Sequence, residues 1–473
     1  MNNRGNNCTD GIRFAGRKPY LCLSNNLIMK RLLVFVSLAA LFACSTPNPV
    51  LTVSGGKVQG VLTDSSQVLV YKGIPYAAPP VGDLRWQAPQ PVPAWDGVKV
   101  CDTFGPIAWQ PGNAPGTFYG DEFYWAGTPE QSEDCLYLNV WAPAGTVGKT
   151  DAKRPVAMWI HGGAYMNGYG YEVTMDGDAW ARRGVILVTI NYRLGTFGFL
   201  SHPDLTAEQG QSGNYGTMDQ VAALQWVHDN IAQFGGDPGN ITVFGQSAGA
   251  MSVKTLLISP MAKDLMAKAI IQSGGGIGLR GLSPANDVQQ SFYDEQGKAL
   301  TDAGGLTSLE AMRAASAQTI FDLSQKQFVM LSPHNDGKVL VEDFDHALYD
   351  GSIAQVPVMI GYNKDDMGIL AGTSVDRFCA VRDSLGCPVY EYEFLRELPT
   401  DEAHPASASG AFHSAELWYM FGTLKNSWRP FTEADYRLSE EMVDAWTAFC
   451  RTGNPGWDAY KHDKPYKKLF DIQ

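Results

Sequence analysis

The sequence has little positive charge and no pattern typical of a metal site. Lysine and arginine number 36 against 49 aspartates and glutamates, a net charge of −13, which argues against nucleic acid or an anionic surface as partner. It contains no Cys-x-x-Cys pair and no Cys/His cluster with ligand spacing, so we expect no zinc site. It also lacks internal repeats and low-complexity tracts, which excludes solenoids and propellers.

The N-terminal region resembles an export signal. Met29-Lys30-Arg31 precedes an apolar run, residues 32–43, that is too short to span a bilayer as a mature helix. The run ends in Leu41-Phe42-Ala43-Cys44, which resembles the lipobox of bacterial lipoproteins, where the cysteine is lipidated and becomes the new N-terminus. We therefore expect residues 1–43 to be a leader, Cys44 to carry a lipid anchor, and the protein to be exported as a periplasmic or outer-membrane-associated lipoprotein. An ordinary secretory signal is the alternative.

Residues 44–473 are expected to form a single domain, because no composition shift or linker divides them. An odd number of cysteines without Cys-x-x-Cys spacing does not define a disulfide set. Cys379 and Cys387 could nevertheless close a small loop in an oxidising compartment. The cysteines of this body are Cys101, Cys135, Cys379, Cys387 and Cys450.

Short apolar runs without polar alternation predict strands buried on both faces of a mostly parallel sheet. Before them, residues 51–77 alternate β-rich runs with turns and predict an antiparallel start. Between the strands, apolar residues at helical spacing follow Thr217, a predicted N-cap. This alternation of strands and helices predicts an α/β protein. The predicted buried strands are residues 155–160, 185–190, 241–244, 268–271 and 356–360.

The segment Gly245-Gln246-Ser247-Ala248-Gly249 is the most informative in the chain. An apolar, β-branched run precedes it and an apolar helical pattern follows it, so it predicts a sharp turn between a buried strand and a helix. In such a nucleophile elbow the turn exposes the serine hydroxyl, and the glycines prevent a collision between strand and helix. The alternative is a glycine-rich turn whose serine only caps the helix.

A nucleophilic serine needs a base, a carboxylate that orients the base, and N–H donors for the developing oxyanion. His161-Gly162-Gly163-Ala164 follows a predicted strand and could supply such donors. In an elbow of this type the acid and the histidine follow the serine in the chain. His413 opens an apolar helical run, and Asp365 and Asp366 follow a predicted strand. These residues alone leave open which histidine and which acid would serve.

Eight motifs occur in a fixed order along the chain. They are Tyr71–Ala77, Leu84–Trp86, Ser132–Val140, Trp159–Tyr165, Asn191–Arg193, Phe234–Pro238, the elbow, and Gln272–Gly274. With these motifs the chain resembles the type-B carboxylesterases, the α/β-hydrolase branch that includes bacterial para-nitrobenzyl esterases and cholinesterases. The resemblance extends from about residue 50 to residue 455 and is densest before residue 276. It implies an α/β-hydrolase fold, with a mostly parallel central sheet flanked by helices.

The resemblance also implies roles for individual residues. Ser247 corresponds to the nucleophile, His413 to the base and Asp366 to the acid, with Asp365 as the alternative acid. The oxyanion hole corresponds to the backbone N–H groups of Gly163, Ala164 and Ala248. Two structural ion pairs are implied as well, namely Arg85–Glu133 and Arg193–Asp219.

The chain departs from the family pattern in several places. Most members carry glutamate where Asp366 stands, so the acid is one methylene shorter. Only 47 residues separate Asp366 from His413, so a shortened helical lid is expected. Gln246 replaces the glutamate that cholinesterases carry before the serine, which argues against a cholinesterase. The family disulfide partner of Cys135 falls at Ala108, so Cys135 is either free or paired differently, for example with Cys101.

The expected activity is hydrolysis of a small-molecule carboxylic ester through an acyl-enzyme, without cofactor or metal. Two alternatives belong to other classes. Relatives of this fold that have lost the triad act as adhesion modules, but all three triad positions here carry competent side chains. Serine peptidases and amidases share the elbow and the order of acid and histidine, but they usually add a propeller or a compact cap, and no blade-length repeat appears.

Overall fold

A computed structural model describes residues 48–472 except 114, 279–289, 327–330, 367, 369–371 and 405–408. Residues 48–473 form one compact unit. The predicted leader, residues 1–43, and the predicted lipidation site Cys44 lie outside the described residues. Within the described ranges, no helix is long and apolar enough to cross a membrane.

The strands form a large mixed sheet and a small separate one. In chain order they are β1 (Val50–Val53), β2 (Gly56–Gln59), β3 (Val61–Leu62), β4 (Val68–Pro75), β5 (Val98–Val100), β6 (Tyr137–Pro143), β7 (Arg154–Ile160), β8 (Ile186–Ile190), β9 (Gly236–Gln246), β10 (Lys268–Gln272), β11 (Val358–Asn363), β12 (Val389–Phe394) and β13 (Lys467–Phe470). The ten-stranded sheet has the order β13-β12-β11-β10-β9-β7-β8-β6-β4-β3, and β1, β2 and β5 form the second sheet.

The predicted sheet direction is confirmed. From β8 to β13 every neighbouring pair in the large sheet is parallel. At the other edge β6, β4 and β3 pair antiparallel, and β1 pairs antiparallel with β2. Because parallel strands all end at the same edge, the loops after β7, β9 and β11 come together there.

Helices cover both faces of the large sheet, as an α/β-hydrolase fold requires. Alternate residues of β7 point into different hydrophobic clusters, with Val156 and Met158 in one and Ala157 and Trp159 in the other. In chain order the helices are α1 (Phe118–Phe123), α2 (Asp178–Arg182), α3 (Gly195–Phe199), α4 (Pro203–Gln209), α5 (Tyr215–Asn230), α6 (Ala248–Ile258), α7 (Gln290–Ala303), α8 (Leu309–Ala314), α9 (Ala317–Lys326), α10 (Phe344–Asp350), α11 (Thr373–Ser384), α12 (Leu417–Phe421) and α13 (Glu433–Thr452).

Several predicted element boundaries differ from the structure, most of all that of β9, which extends from Gly236 to Gln246 instead of over residues 241–244. At two boundaries a distant contact explains the shift. Helix α5 is capped at Asn214 rather than at Thr217, because the Asn214 amide hydrogen-bonds the backbone of His334 and fixes the turn there. Strand β11 begins at Val358 rather than at residue 356, because the carbonyl of Val356 accepts a hydrogen bond from a buried arginine, Arg382.

The suggested disulfides are also wrong. All five cysteines of the described body are buried free thiols, so Cys101 and Cys135 are not joined. Cys379 lies in the core on α11, and the Cys387 thiol donates to Gln355 Oε1 over 2.6 Å instead of reaching Cys379.

The two predicted structural ion pairs are confirmed. Arg85 Nη2 lies 2.6 Å from Glu133 Oε2. Arg193 Nη2 lies 2.7 Å from Asp219 Oδ1, and Arg193 Nε donates to the other carboxylate oxygen. The Arg193–Asp219 pair is almost completely buried, with 2% and 0% of the side chains exposed. It therefore ties α5 to the loop that follows β8.

We predict that Asp219→Asn lowers the free energy of unfolding by about 3–5 kcal/mol, because removal of one partner leaves a buried guanidinium without compensation. Urea unfolding followed by circular dichroism gives the change.

The matched control is Asp302→Asn on α7, which breaks the exposed Lys298–Asp302 pair. There we expect a change below about 1 kcal/mol, because solvent screens such pairs. Similar losses of unfolding free energy in the two variants would show that the buried pair stabilises the fold no more than the exposed pair does.

Candidate active site

Ser247 lies at a strained turn between β9 and α6. Its φ of 57° and ψ of −126° belong to a conformation that non-glycine residues rarely adopt. The flanking glycines make the turn possible. A Cβ at Gly249 would lie 2.0 Å from the carbonyl oxygen of Ile160, and one at Gly245 would lie 2.5 Å from the backbone of Gly249. The predicted strand–turn–helix context of the elbow is therefore confirmed.

The glycine loop after β7 lies directly beside this turn. A Cβ at Gly162 would lie 3.1 Å from Ser247 Cβ. At Gly163 φ is 102° and a Cβ would lie 2.0 Å from the Asn167 carbonyl oxygen, so only glycine fits there. Ala164 follows with φ of 54°. Ala248 is the first residue of α6, where a backbone N–H has no partner within the helix.

His161 fixes the start of the glycine loop. Its ring stacks on Tyr192 with 4.4 Å between the centroids, and its Nδ1 lies 2.8 Å from the Gly162 carbonyl oxygen. The Tyr192 hydroxyl donates to the His161 carbonyl oxygen. Burial lowers the pKa of His161 to about 4, so the ring is neutral and serves as packing.

Asp366, at the end of β11, contacts His413. Its Oδ1 lies 2.5 Å from His413 Nδ1, and its Oδ2 accepts a hydrogen bond from the Asn363 backbone N–H at 2.8 Å. The Asp366 side chain is fully buried, whereas 17% of the His413 side chain is exposed. Asp365 points elsewhere, because its Oδ2 accepts from the Ala411 backbone N–H. The geometry therefore places Asp366, and not Asp365, against the imidazole.

A second buried acid, Glu416, lies three residues after His413. Its carboxylate accepts hydrogen bonds from Asn363 Nδ2 at 2.6 Å and from Gln272 Nε2 at 3.4 Å. Burial, reinforced by the charge of Asp366, raises the pKa of Glu416 to about 7. The prediction of the triad does not include Glu416; the sequence signal for it is the Gly-x-x-His-x-x-Glu spacing of residues 410–416.

The pKa of His413 reflects two opposing influences. Burial disfavours the imidazolium, but the hydrogen bond and charge of Asp366, with the charge of Glu416, outweigh burial and raise the pKa above the ordinary value of 6.5. The other ring nitrogen, Nε2, lies 3.2 Å from Nε2 of Gln246, the residue before Ser247. His413 thus faces Asp366 on one side and the elbow on the other.

Helix α1 covers this site from the side of His413. The Tyr119 hydroxyl donates to the His413 carbonyl oxygen at 3.4 Å, and the ring of Phe118 meets that of Phe412 edge-on at 4.9 Å. The helix is held from beneath by Glu122, which is buried and forms an ion pair with Arg429 at 2.8 Å. Trp125, after the helix, is 55% exposed.

One group of His, Asp and Glu side chains in the described part of the chain has ligand atoms close enough for a metal ion. It consists of Glu342, His346 and Asp350, around α10. It is largely exposed and includes none of the residues described above. Exposed groups of this kind are common without a metal ion.

Comparison with known proteins places the whole described unit in one family. The family model described as "Carboxylesterase family" matches residues 47–384 and 369–471. The chain is 34% identical to the para-nitrobenzyl esterase of Bacillus subtilis (strain 168), over 90% of this chain and 95% of that protein. It is 36% identical to carboxylesterase 1D of Mus musculus, over 92% of each chain.

A solved structure agrees with this assignment. The chain superimposes on a PNB esterase with a TM-score of 0.78 and 30% identity, covering 90% of this chain and 96% of the other. The two ranges that the family model matches include the elbow and the His413 segment. The protein therefore has the α/β-hydrolase fold and belongs to the carboxylesterase family.

Proposed function

We propose that this carboxylesterase hydrolyses small-molecule carboxylic esters with a serine nucleophile. The observation that carries the proposal is the position of His413, whose Nδ1 contacts Asp366 while its Nε2 faces the elbow. A base oriented by a carboxylate beside a partly exposed serine is the arrangement that acyl transfer needs. The proposed triad is Ser247, His413 and Asp366, and the proposed oxyanion donors are the backbone N–H groups of Gly163, Ala164 and Ala248.

The reaction would proceed in two acyl-transfer halves. Ser247 Oγ attacks the ester carbonyl carbon while its proton passes to His413 Nε2, and the carbonyl oxygen becomes an oxyanion held by the three N–H donors. The tetrahedral intermediate collapses, the C–O bond to the alcohol breaks, and His413 returns the proton to the leaving oxygen. Water then attacks the acyl-enzyme by the same route and releases the acid. These steps use no cofactor or metal.

Asp366 has two tasks in this scheme. Its hydrogen bond keeps the proton of neutral His413 on Nδ1, so that the Nε2 lone pair is the one available to the serine. Its charge also stabilises the imidazolium formed during attack. The shorter side chain, compared with the glutamate of most relatives, still reaches the ring because the Asn363 backbone N–H holds the carboxylate in place.

The shortened lid and the export signal remain parts of the proposal. Between Asp366 and His413 the described residues contain one helix, α11, and one strand, β12, which supports an entrance with a reduced helical cover.

For the leader, residues 1–43, the lipobox-like end supports export and anchoring through Cys44.

We expect Ser247→Ala to lower ester hydrolysis by about 10⁶-fold, because the variant has no nucleophile for the acyl-enzyme. The measurement is release of para-nitrophenol from a series of esters, acetate to decanoate, by residues 45–473. The acyl-chain optimum also gives the size of the acyl pocket.

An amide series measured alongside distinguishes a peptidase or amidase, which would favour amides over esters. Equal inertness of the natural chain and the variant across both series would contradict the catalytic proposal and favour an adhesion module.

Asp366→Asn should lower kcat by about 10⁴-fold, because an amide cannot hold the histidine in the required tautomer. Asp365→Asn is the adjacent control. Its side chain contacts the Ala411 backbone instead of the ring, so we expect a loss of tenfold or less. A larger loss at residue 365 than at residue 366 would reverse the assignment of the acid.

Cys44→Ser should abolish incorporation of a labelled fatty acid during expression of the full chain in a bacterial host, because the thiol is the proposed attachment atom. The natural chain should acquire the label and fractionate with membranes. An unlabelled natural chain released into the periplasm would instead indicate an ordinary secretory signal.

A further inference from the structure

The side chain of Gln246 lies on the nitrogen that the proposed mechanism uses. Its Nε2 atom is 3.2 Å from His413 Nε2. Gln246 is only 3% exposed, so water has little access to compete for this contact. Gln246 therefore lies between the proposed base and the proposed nucleophile, Ser247, which is the next residue in the chain.

The direction of this hydrogen bond follows from the other side of the ring. Asp366 accepts at His413 Nδ1, so in the neutral imidazole Nδ1 carries the proton and Nε2 presents a lone pair. Gln246 must then donate from its amide NH₂ group. That lone pair is also the one that has to receive the Ser247 proton, so the two donors compete for one acceptor.

The backbone and the glycine loop hold the Gln246 amide in this position. Gln246 is the last residue of β9 and pairs in register with Gln272 on β10. Its Oε1 atom would be 3.2 Å from a Cβ built at Gly162. The amide thus lies between the imidazole and the first glycine of the proposed oxyanion loop, where a side chain at residue 162 would crowd it.

We infer that Gln246 is a positioning residue for the base: in the resting enzyme its amide occupies the proton-accepting lone pair of His413, and it turns away when the serine engages. This inference rests on the proposed function. Because a hydrogen bond donated to the neutral ring disfavours the imidazolium, Gln246 counteracts the effect of Asp366 on His413. Turning the amide by half a revolution instead presents Oε1, which can accept from the imidazolium formed during catalysis.

Other titratable groups also lie close to His413, and the test has to leave them unchanged. Asp366 follows β11, Glu416 precedes α12, and the Tyr119 hydroxyl on α1 donates to the His413 carbonyl oxygen. Glu122 and Arg429 form a buried ion pair with each other, and Asp365 accepts a hydrogen bond from the Ala411 backbone N–H. Substitution at residue 246 alters none of these side chains.

Two near-isosteric substitutions separate the possible effects. Gln246→Glu replaces the donor by a group that, once ionised, only accepts, so it should favour the imidazolium. Its charge within about 4 Å of the ring should raise the pKa of His413 by roughly one unit or more. Gln246→Met removes the donor without adding charge and should raise that pKa by roughly half a unit.

The first experiment is a pH titration of the full chain labelled with ¹³C-histidine, followed by NMR, with the His413 signal identified by its loss in His413→Gln. We expect the pKa of His413 to be lowest in the natural chain, higher in Gln246→Met and highest in Gln246→Glu. Equal values in all three, or a lower value in Gln246→Glu, would overturn the inference. This readout does not depend on turnover, so it stands apart from the test of esterase activity.

The second experiment is the pH dependence of kcat/KM for ester hydrolysis. Since only neutral His413 accepts the serine proton, activity falls as the pH drops through its pKa. The acid limb should therefore move to higher pH in the same order as the NMR values, and superimposable limbs would contradict the inference. If Gln246→Met does not fold, Gln246→Asn replaces it, because the shorter side chain keeps the amide but cannot span the 3.2 Å contact.

Discussion

The whole candidate site depends on how closely β7 and β9 approach each other at their ends. Gly249, after β9, lies so near the Ile160 carbonyl at the end of β7 that no side chain fits between them. This approach brings the glycine loop and Ser247 together, and it forces the serine into its strained conformation. Such a close approach of two backbones restricts the sequence, because it requires glycine at particular positions. Once the chain is folded, the backbone holds the site in place and no further binding energy is needed to organise it.

The second organising feature is a group of acids around one imidazole. Asp366 contacts the ring directly, whereas Glu416 is buried behind Asn363 with a pKa raised to about 7. Two adjacent buried carboxylates would repel each other if both were ionised, and the raised pKa of Glu416 relieves this repulsion near neutrality. The side chains that contact Glu416 or the imidazole from the other directions are uncharged amides, namely Asn363, Gln272 and Gln246. The charge nearest to the ring is therefore that of Asp366.

Local information was enough to predict part of this arrangement. The elbow, the glycine loop and the parallel strands each have a signature within about ten residues. The strand–turn–helix context of the elbow and the parallel pairing are confirmed, and the glycine loop lies beside Ser247. The choice between Asp365 and Asp366 was not local, because it depends on a hydrogen bond from Ala411 that redirects one of two neighbouring carboxylates. The cap of α5 and the contact of Gln246 with His413 likewise depend on partners more than a hundred residues away, which no periodicity could reveal.

The buried Glu122–Arg429 pair has a consequence for how this side of the candidate site can change over evolution. The pair anchors α1 through its inner face, while Phe118 and Tyr119 stay partly exposed on the outer face. The residues of α1 that contact the His413 segment are thus separate from the one that keeps the helix in place. Natural selection can therefore exchange the outer aromatic side chains without first finding a new way to hold the helix.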